Sequence, residues 1–513
     1  MSAKRHFQIT CMATSQEFIA TRLRASFTPP ITLDYRSATP IWRQISVWFQ
    51  RAIVAGQLQT GQRVPSSRTL ARELGISRIP VVSAYELLIA EGYFRTFVGD
   101  GTYVSESIPD AHRPDRDGLV KETALDPGFE ARRPVSRRAA HLGGPAQAWV
   151  ERSRGCTDLE HFPVGIWSKL IKRHARNMSR DVMGYGDPMG YGPFREAVAH
   201  YLGAYRAVNC DPSQIMVTTG AQQGLLFSAL ALLDPGDTAW VEEPGYPATH
   251  QALRVAGARL APVPVDAQGL NVECAIRTEP GARTAFVTPS HQFPLGVTMS
   301  ATRRIELLTW AAVHGAWVIE DDYDSEYRFS ENPIASLQGL DVEGRVIYVG
   351  TLTKMMFPAL RLGYIIIPKD LVSGFLRIRS AIDTFSTSVH HQMAMTDFIR
   401  EGHFSRHLNR MRSVYMKRRA LLTAAIRART DGALSVIGEE AGMLLVALLR
   451  HGMDDVEIAA KAQRMGVRVK ALSQCYVDPP QRGGLMLDYA NSSPEAIQAT
   501  IDALMTIICA GRH

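Results

Sequence analysis

The chain has no apolar run near the roughly 20 residues that a helix needs to cross a bilayer, so no membrane-spanning helix is expected. Its six cysteines (Cys11, Cys156, Cys210, Cys274, Cys475 and Cys509) form no Cys-x-x-Cys pair, which argues against zinc and against a disulfide framework. A reducing, cytoplasmic setting fits that usage. The first 27 residues lack the apolar core of a secretory signal. Residues 1–30 are therefore expected to be a disordered leader, or to precede the true start. Lysine is missing between Ile31 and Ser105, where every basic side chain is an arginine. What is present is ordinary for a soluble globular protein: 46% of residues are hydrophobic and 21% charged. A length of 513 residues predicts two or three domains, and the net charge of +7 suits an anionic partner where it is localised.

Residues 31–105 read as one small domain. Ile41, Ile45, Trp48, Phe49 and Ala52 recur at helical spacing between Pro40, placed at the helix start, and Gly56, which ends it. Ser66 and Ser67 open a second helix that Gly75 stops, and Ser77 is expected to cap a third that reaches Gly92. The turn Leu74-Gly75-Ile76-Ser77 between two short helices is a helix-turn-helix signature, and Tyr93 to Val104 folds as a hairpin around Gly99-Asp100-Gly101. Arg68 and Arg78 stand at helix starts, where N–H groups also favour phosphate. The start of the third helix is the part that enters a major groove, so Arg78, Ile79 and Ser83 are candidates for base edges and Gly101 for the wing contact. A helical protein-interaction domain with solvated arginines is the alternative. Pro-Ser-Ser-Arg, Leu-Gly-Ile-Ser-Arg and Gly-Asp-Gly-Thr make this segment resemble the winged helix-turn-helix of GntR-type regulators. Ile79-Pro80 departs from the small polar pair commoner there.

Residues 106–144 shift to Pro, Asp, Glu and Arg without any period, the composition of an extended tether. From 145 to 513, strand-like runs alternate with helical ones, which predicts an α/β domain with a central, mostly parallel sheet. The expected strands are Ile215–Val217, Thr238–Val241, Thr284–Val287, Trp317–Ile319, Val346–Val349 and Tyr364–Ile367. Chemistry in such sheets collects at the carboxyl ends of strands. Gly220-Ala221-Gln222 turns there from strand to helix, so backbone N–H groups face an anion. Tyr246, in Glu242-Glu243-Pro244-Gly245-Tyr246, either stacks on a flat cofactor or merely packs. Glu320-Asp321-Asp322-Tyr323-Asp324 concentrates carboxylates that repel unless some meet a cation. A protonated pyridine nitrogen would be such a cation, with Asp321 as its partner and Tyr323 donating to the ring oxygen. Metal is the rival reading, but no histidine or further acid stands at ligand spacing, so no metal site is expected.

The stretch Tyr348 to Tyr364 ties these clusters together. Lys354 follows Thr351 and Thr353 among apolar neighbours, where a charged amine is costly and a nucleophilic one is favoured. Two hydroxyls and the Arg361 guanidinium would hold a phosphate beside it. A surface lysine after a buried strand is the plain alternative. Met178 to about Ile508 resembles the fold type I aminotransferases, and the whole chain resembles the MocR/GabR-type regulators, which join a GntR-like winged helix to that fold. The resemblance implies pyridoxal 5'-phosphate in a Schiff base with Lys354, and Asp321 on the pyridine nitrogen. It further implies Tyr323 on the ring oxygen, Tyr246 on the ring face, and Gly220, Ala221, Gln222, Thr351, Thr353 and Arg361 on the phosphate. Tyr185 would reach the cofactor of a second subunit in a domain-swapped homodimer, and His291 would touch cofactor or effector or serve the structure. The partners implied are double-stranded DNA bearing two half-sites and a small effector: an amine, an amino acid or the cofactor itself. Aminotransferases usually carry a carboxylate-gripping arginine close to Met486; here Arg482 is the nearest substitute and the effector-binding candidate. An active aminotransferase with an accessory DNA-binding domain is the second reading.

Overall fold

The computed structural model describes residues 29–37, 39–97, 99–105, 136, 142, 157–176, 178–329, 334–383, 388–438 and 441–510. The expected leader up to residue 28, nearly all of the expected tether 106–144, and residues 145–156 of the expected large domain lie outside the described residues. The chain forms two compact units that divide between Pro134 and Val135.

In the first unit, α1 (Ile41–Val54), α2 (Ser67–Glu73) and α3 (Arg78–Ala90) precede a hairpin of β1 (Phe94–Phe97) and β2 (Gly101–Val104). The apolar faces close on one core that holds Ile45, Phe49, Leu70, Val81, Leu88 and Phe94. Gly75 turns the chain between α2 and α3 at φ +65°, a left-handed conformation that glycine adopts without penalty. Ser66 caps α2, its Oγ accepting from the Thr69 amide at 3.2 Å. Ser77 has the extended backbone of a cap but makes no capping bond, contrary to the sequence expectation. Pro80, third in α3, has no N–H to give, which removes one of the two amides that a capping serine uses.

The second unit is built on an eight-stranded sheet. Its strands are β3 (Ile215–Thr218), β4 (Thr238–Glu243), β5 (Arg259–Asp266), β6 (Gly269–Leu270), β7 (Thr284–Val287), β8 (Trp317–Asp322), β9 (Val346–Thr351) and β10 (Gly363–Ile366). They lie in the order β3-β10-β9-β8-β7-β4-β5-β6. The central pairs are parallel, while β10 runs antiparallel to both β3 and β9. A second sheet, in the order β11-β12-β14-β13, is antiparallel and comprises β11 (Leu434–Ile437), β12 (Leu444–Leu449), β13 (Val469–Ala471) and β14 (Gly484–Asp488). Strands β4, β8 and β9 run two or three residues beyond their expected ends, so Glu242, Asp321, Asp322 and Thr351 are strand residues rather than loop ones. All four are buried, and hydropathy alone ends a strand at its first polar side chain. No helix among the described residues is long and apolar enough to cross a membrane.

Candidate functional site

At the end of β3 the chain turns at Gly220 (φ +130°) into the helix Ala221–Leu232, whose start has no side-chain cap. Its first amides are thus left to an external acceptor. The Arg361 guanidinium lies over this turn: a Cβ on Gly220 would stand 3.7–3.8 Å from three of its atoms. Arg361 is held there by a left-handed backbone (φ 49°, ψ 50°), rare for a residue with a side chain. The Thr353 hydroxyl is buried without a hydrogen-bond partner, and the Thr353 amide donates to the Thr351 Oγ1 at 3.2 Å. Helix start, guanidinium and unsatisfied hydroxyl are a donor set for an anion.

The acidic run on β8 is resolved acid by acid. Glu320 accepts from the amides of Leu337 and Gln338, both at 3.0 Å. Asp322 takes the Arg206 Nε at 2.9 Å and the Tyr348 hydroxyl at 2.5 Å. Asp324 lies 3.0 Å from the His291 Nδ1. Asp321 differs: it is buried, and its Oδ1 has no hydrogen-bond partner. Its carboxyl is pushed up to about 8, first by burial and then by the charges of Asp322, Glu242 and Asp324, while Lys354 pulls it the other way. A buried acid in that condition lacks a cation. Among the described residues no group of His, Cys, Asp and Glu is arranged to hold a metal.

Around Asp321 a small cavity is lined by Glu242, Tyr246, Thr249, His250 and Thr288. The Tyr246 ring meets Phe293 edge-on at 5.0 Å, and Phe293 lies 6.1 Å from the Tyr323 ring. The Tyr323 hydroxyl is 3.0 Å from the same His291 Nδ1 that faces Asp324. One nitrogen carries one proton, so with that proton directed at Asp324 the tyrosine's own hydrogen is available to a third group. His291 thus sits behind Tyr323 and orients it. Lys354 is half-buried between buried Leu352 and Met355. Tyr185 is 78% exposed, in the irregular segment that follows the short helix Arg180–Met183. Arg482 is exposed before β14, with its charge acting on Tyr476.

In the first unit, Arg68, Arg78 and Ile79 are exposed and Ser83 is half-buried. The Arg78 Nε donates to the Ser67 Oγ at 3.1 Å, joining the starts of α3 and α2. Ile79 is 75% exposed at the start of α3. Gly101 (φ +134°) leaves room for the Arg63 guanidinium, whose Nε would be 2.9 Å from a Cβ there. Arg63 in turn donates to the Asp100 carbonyl and fixes the hairpin tip.

Sequence reasoning missed Glu242, buried beside Asp321 with the Thr288 hydroxyl donating to it at 2.5 Å and its carboxyl pushed up to about 7 by burial. Its place at the head of the Glu242-Glu243-Pro244-Gly245-Tyr246 motif was the available signal. It also missed Arg206 as the counter-ion of Asp322, a pairing across 116 positions that no local pattern reveals.

A winged helix-turn-helix and a fold type I aminotransferase domain in one chain define the class: a regulator whose second domain is built like an enzyme. Residues 47–104 match the family model of bacterial regulatory proteins, gntR family, and residues 156–504 that of aminotransferase class I and II. The chain is 37% identical over 486 residues to the probable rhizopine catabolism regulatory protein MocR of Rhizobium meliloti, covering 94% of this chain and 96% of that one. It is 29% identical to the HTH-type pyridoxine biosynthesis transcriptional regulator PdxR of Corynebacterium glutamicum, covering 94% and 99%. The kynurenine aminotransferase of Pyrococcus horikoshii, solved with PMP, superposes with a TM-score of 0.68 at 25% identity, over 74% of this chain and 98% of that one. The chain belongs to the MocR-type family of helix-turn-helix transcriptional regulators. Full-length similarity to named regulators favours that role over a working aminotransferase.

Proposed function

We propose that the second unit binds pyridoxal 5'-phosphate and senses a small amine, and that this state sets how the first unit binds DNA. The observation that carries the reading is Asp321: of the acids in its run it alone keeps a buried oxygen without a partner, in a cavity also lined by Leu225 of the helix that starts uncapped at Ala221. Ala221, Gln222, Thr351, Thr353 and Arg361 would hold the phosphate, and Tyr246 would cover the ring. Asp321 would hold the proton on the ring nitrogen, Tyr323 would donate to the ring oxygen, and Lys354 would supply the amine that anchors the aldehyde. When bound, the cofactor supplies an electrophilic carbon for amines and a ring that accepts electrons from it. Tyr185, so exposed in one chain, fits contact with a second copy, and a homodimer would present two winged helices to two half-sites. Protein mixed with pyridoxal phosphate and then desalted is expected to retain about one cofactor per chain and to absorb visible light. A colourless, cofactor-free product would overturn the reading.

Turnover of ordinary α-amino acids is expected to be far below enzymatic rates. Met486 is buried where a guanidinium would grip the carboxylate, and each lost charge-assisted hydrogen bond costs about 1.5–3 kcal/mol, with misorientation costing further rate. Steady-state transamination across a panel of amino acids checks this. Wild-type rates of roughly 1–10³ per second would favour the aminotransferase reading instead.

DNA binding is expected to rest on the arginines of the first unit. Arg78→Ala should cost about 1–3 kcal/mol if the side chain reads a guanine edge. If it meets only phosphate, all sequences should weaken alike and the salt slope should fall by about one. Binding titrations at several salt concentrations separate the two, and no change at all would remove Arg78 from the interface.

A further inference from the structure

The cofactor site has a wall whose chemistry the reading above leaves open. Strand β14 alternates: Leu485, Leu487 and Tyr489 enter the main core, while Met486 and Asp488 share the opposite face. Met486 packs with Leu295, Val446, Leu472 and Cys475, a cluster that Phe293 borders, and Phe293 in turn touches Tyr246 and Tyr323. The position of the carboxylate-gripping arginine is therefore apolar and continuous with the ring site. Asp488 stands opposite Leu444 on β12. Two residues before Leu444, Gly442 packs so closely on His291 that a Cβ would stand 2.2 Å from its Cε1. The Asp488 Oδ1 accepts from the Ala490 amide at 3.0 Å, and the residue is half-buried. Burial pushes its carboxyl up to about 6, whereas the charges of Lys354 and Lys470 pull it down, so it is ionised at neutral pH and within the electrostatic reach of Lys354. Lys470 lies opposite Met486 on β13.

We propose that the effector is a primary amine without a carboxylate that carries a second hydrogen-bond-donating group, ammonium or hydroxyl, which Asp488 accepts. This rests on the proposed cofactor-dependent sensing and names the ligand class for it. A carboxylate would meet Met486, which offers it no hydrogen bond, and Asp488, which repels it; Lys470, opposite Met486, already has its charge engaged with Asp488. A donor at the far end of the ligand meets a carboxylate already oriented by the Ala490 amide.

The test uses the full chain loaded with pyridoxal phosphate and three four-carbon amines that differ only at the far end: 1,4-diaminobutane, 4-aminobutan-1-ol and 4-aminobutanoate. Their effect on the visible absorbance is titrated. The diamine and the amino alcohol should act at concentrations at least about 10-fold lower than the aminobutanoate, and the order of those two tells an ammonium preference from a hydroxyl one. Asp488→Asn keeps the Oδ1 acceptor for the Ala490 amide and removes the charge, so it should weaken the diamine response about 10- to 100-fold while cofactor uptake is unchanged. Met486→Arg should shift preference toward the aminobutanoate. The proposal is overturned if 4-aminobutanoate matches the diamine in wild type, if no amine in the series changes the spectrum, or if Asp488→Asn titrates like wild type. The wild-type order decides the matter even if that variant fails to fold. Failure of the underlying reading looks different: the chain then takes up no cofactor before any amine is added.

Discussion

Lys354→Ala protein loaded with pyridoxal phosphate is expected to lose all covalent retention of the cofactor. Wild-type protein treated with borohydride should carry the label on the peptide that contains Lys354, and the variant should carry none. The residue stands at the meeting point of the two halves of the site, since its charge acts on Asp321 on one side and on Asp488 on the other. The proposed phosphate cradle does not include Lys354, so the variant should still bind the cofactor reversibly, to a degree that dialysis removes. Thr157 donates to the Lys354 carbonyl at 3.3 Å, a backbone contact that alanine preserves, so loss of label would not report unfolding. Circular dichroism of the variant checks that point. A variant that keeps both the visible band and the label would place the anchoring amine elsewhere.

Asp321→Asn is expected to separate stability from function. The folded carboxyl titrates near 8 against an ordinary value of 3.8. Stability linked to this group is complete below about 3.8 and is lost as the pH rises through about 8, because the native chain holds a proton that the unfolded chain releases. Asparagine has no such proton to lose. The cofactor-free variant should therefore exceed cofactor-free wild type in stability, by an amount that grows across that window to on the order of 2–4 kcal/mol. Cofactor binding reverses the order, since only the aspartate has a charge to pair with the ring nitrogen. The variant's affinity should fall by about 3 kcal/mol or more, the cost of leaving one member of a buried pair alone. Thermal melts at pH 6, 7, 8 and 9, with and without pyridoxal phosphate, check both halves. Equal melting of the two cofactor-free proteins would show that the Asp321 carboxyl is not held protonated by its burial, and equal stabilisation by the cofactor would show that Asp321 does not face the ring nitrogen.

Much of the architecture was legible because its signals are local. The turn at Gly75, the hairpin around Gly99-Asp100-Gly101 and the β-strand centres rest on glycine conformations and short apolar runs that any window shows. The strand ends were misjudged where buried acids continue the strand, as Asp321 and Asp322 do on β8. The failed cap at Ser77 follows from Pro80, whose missing N–H leaves a capping serine one donor fewer. In the candidate site, the residue types could be read but not their states. That Asp321 is the unsatisfied acid of the run Glu320 to Asp324 depends on Arg206, His291 and the amides of Leu337 and Gln338 pairing with its neighbours, and each of these comes from a distant segment. Asp488 carried no motif at all; its face of β14 became visible only once the register with β12 and β13 was known.

Occupancy of the Lys354 site is proposed to govern DNA binding, and one titration decides whether it does. Fluorescently labelled DNA from the region upstream of the chain's own gene is titrated with the full chain under three conditions. These are without cofactor, with pyridoxal phosphate, and with pyridoxal phosphate plus 1,4-diaminobutane, each run beside Lys354→Ala. Wild-type affinity or stoichiometry is expected to change between these states, whereas Lys354→Ala, which holds the cofactor only reversibly, is expected to give the same curve with and without 1,4-diaminobutane. Identical wild-type curves in all three conditions, with cofactor demonstrably bound, would contradict it.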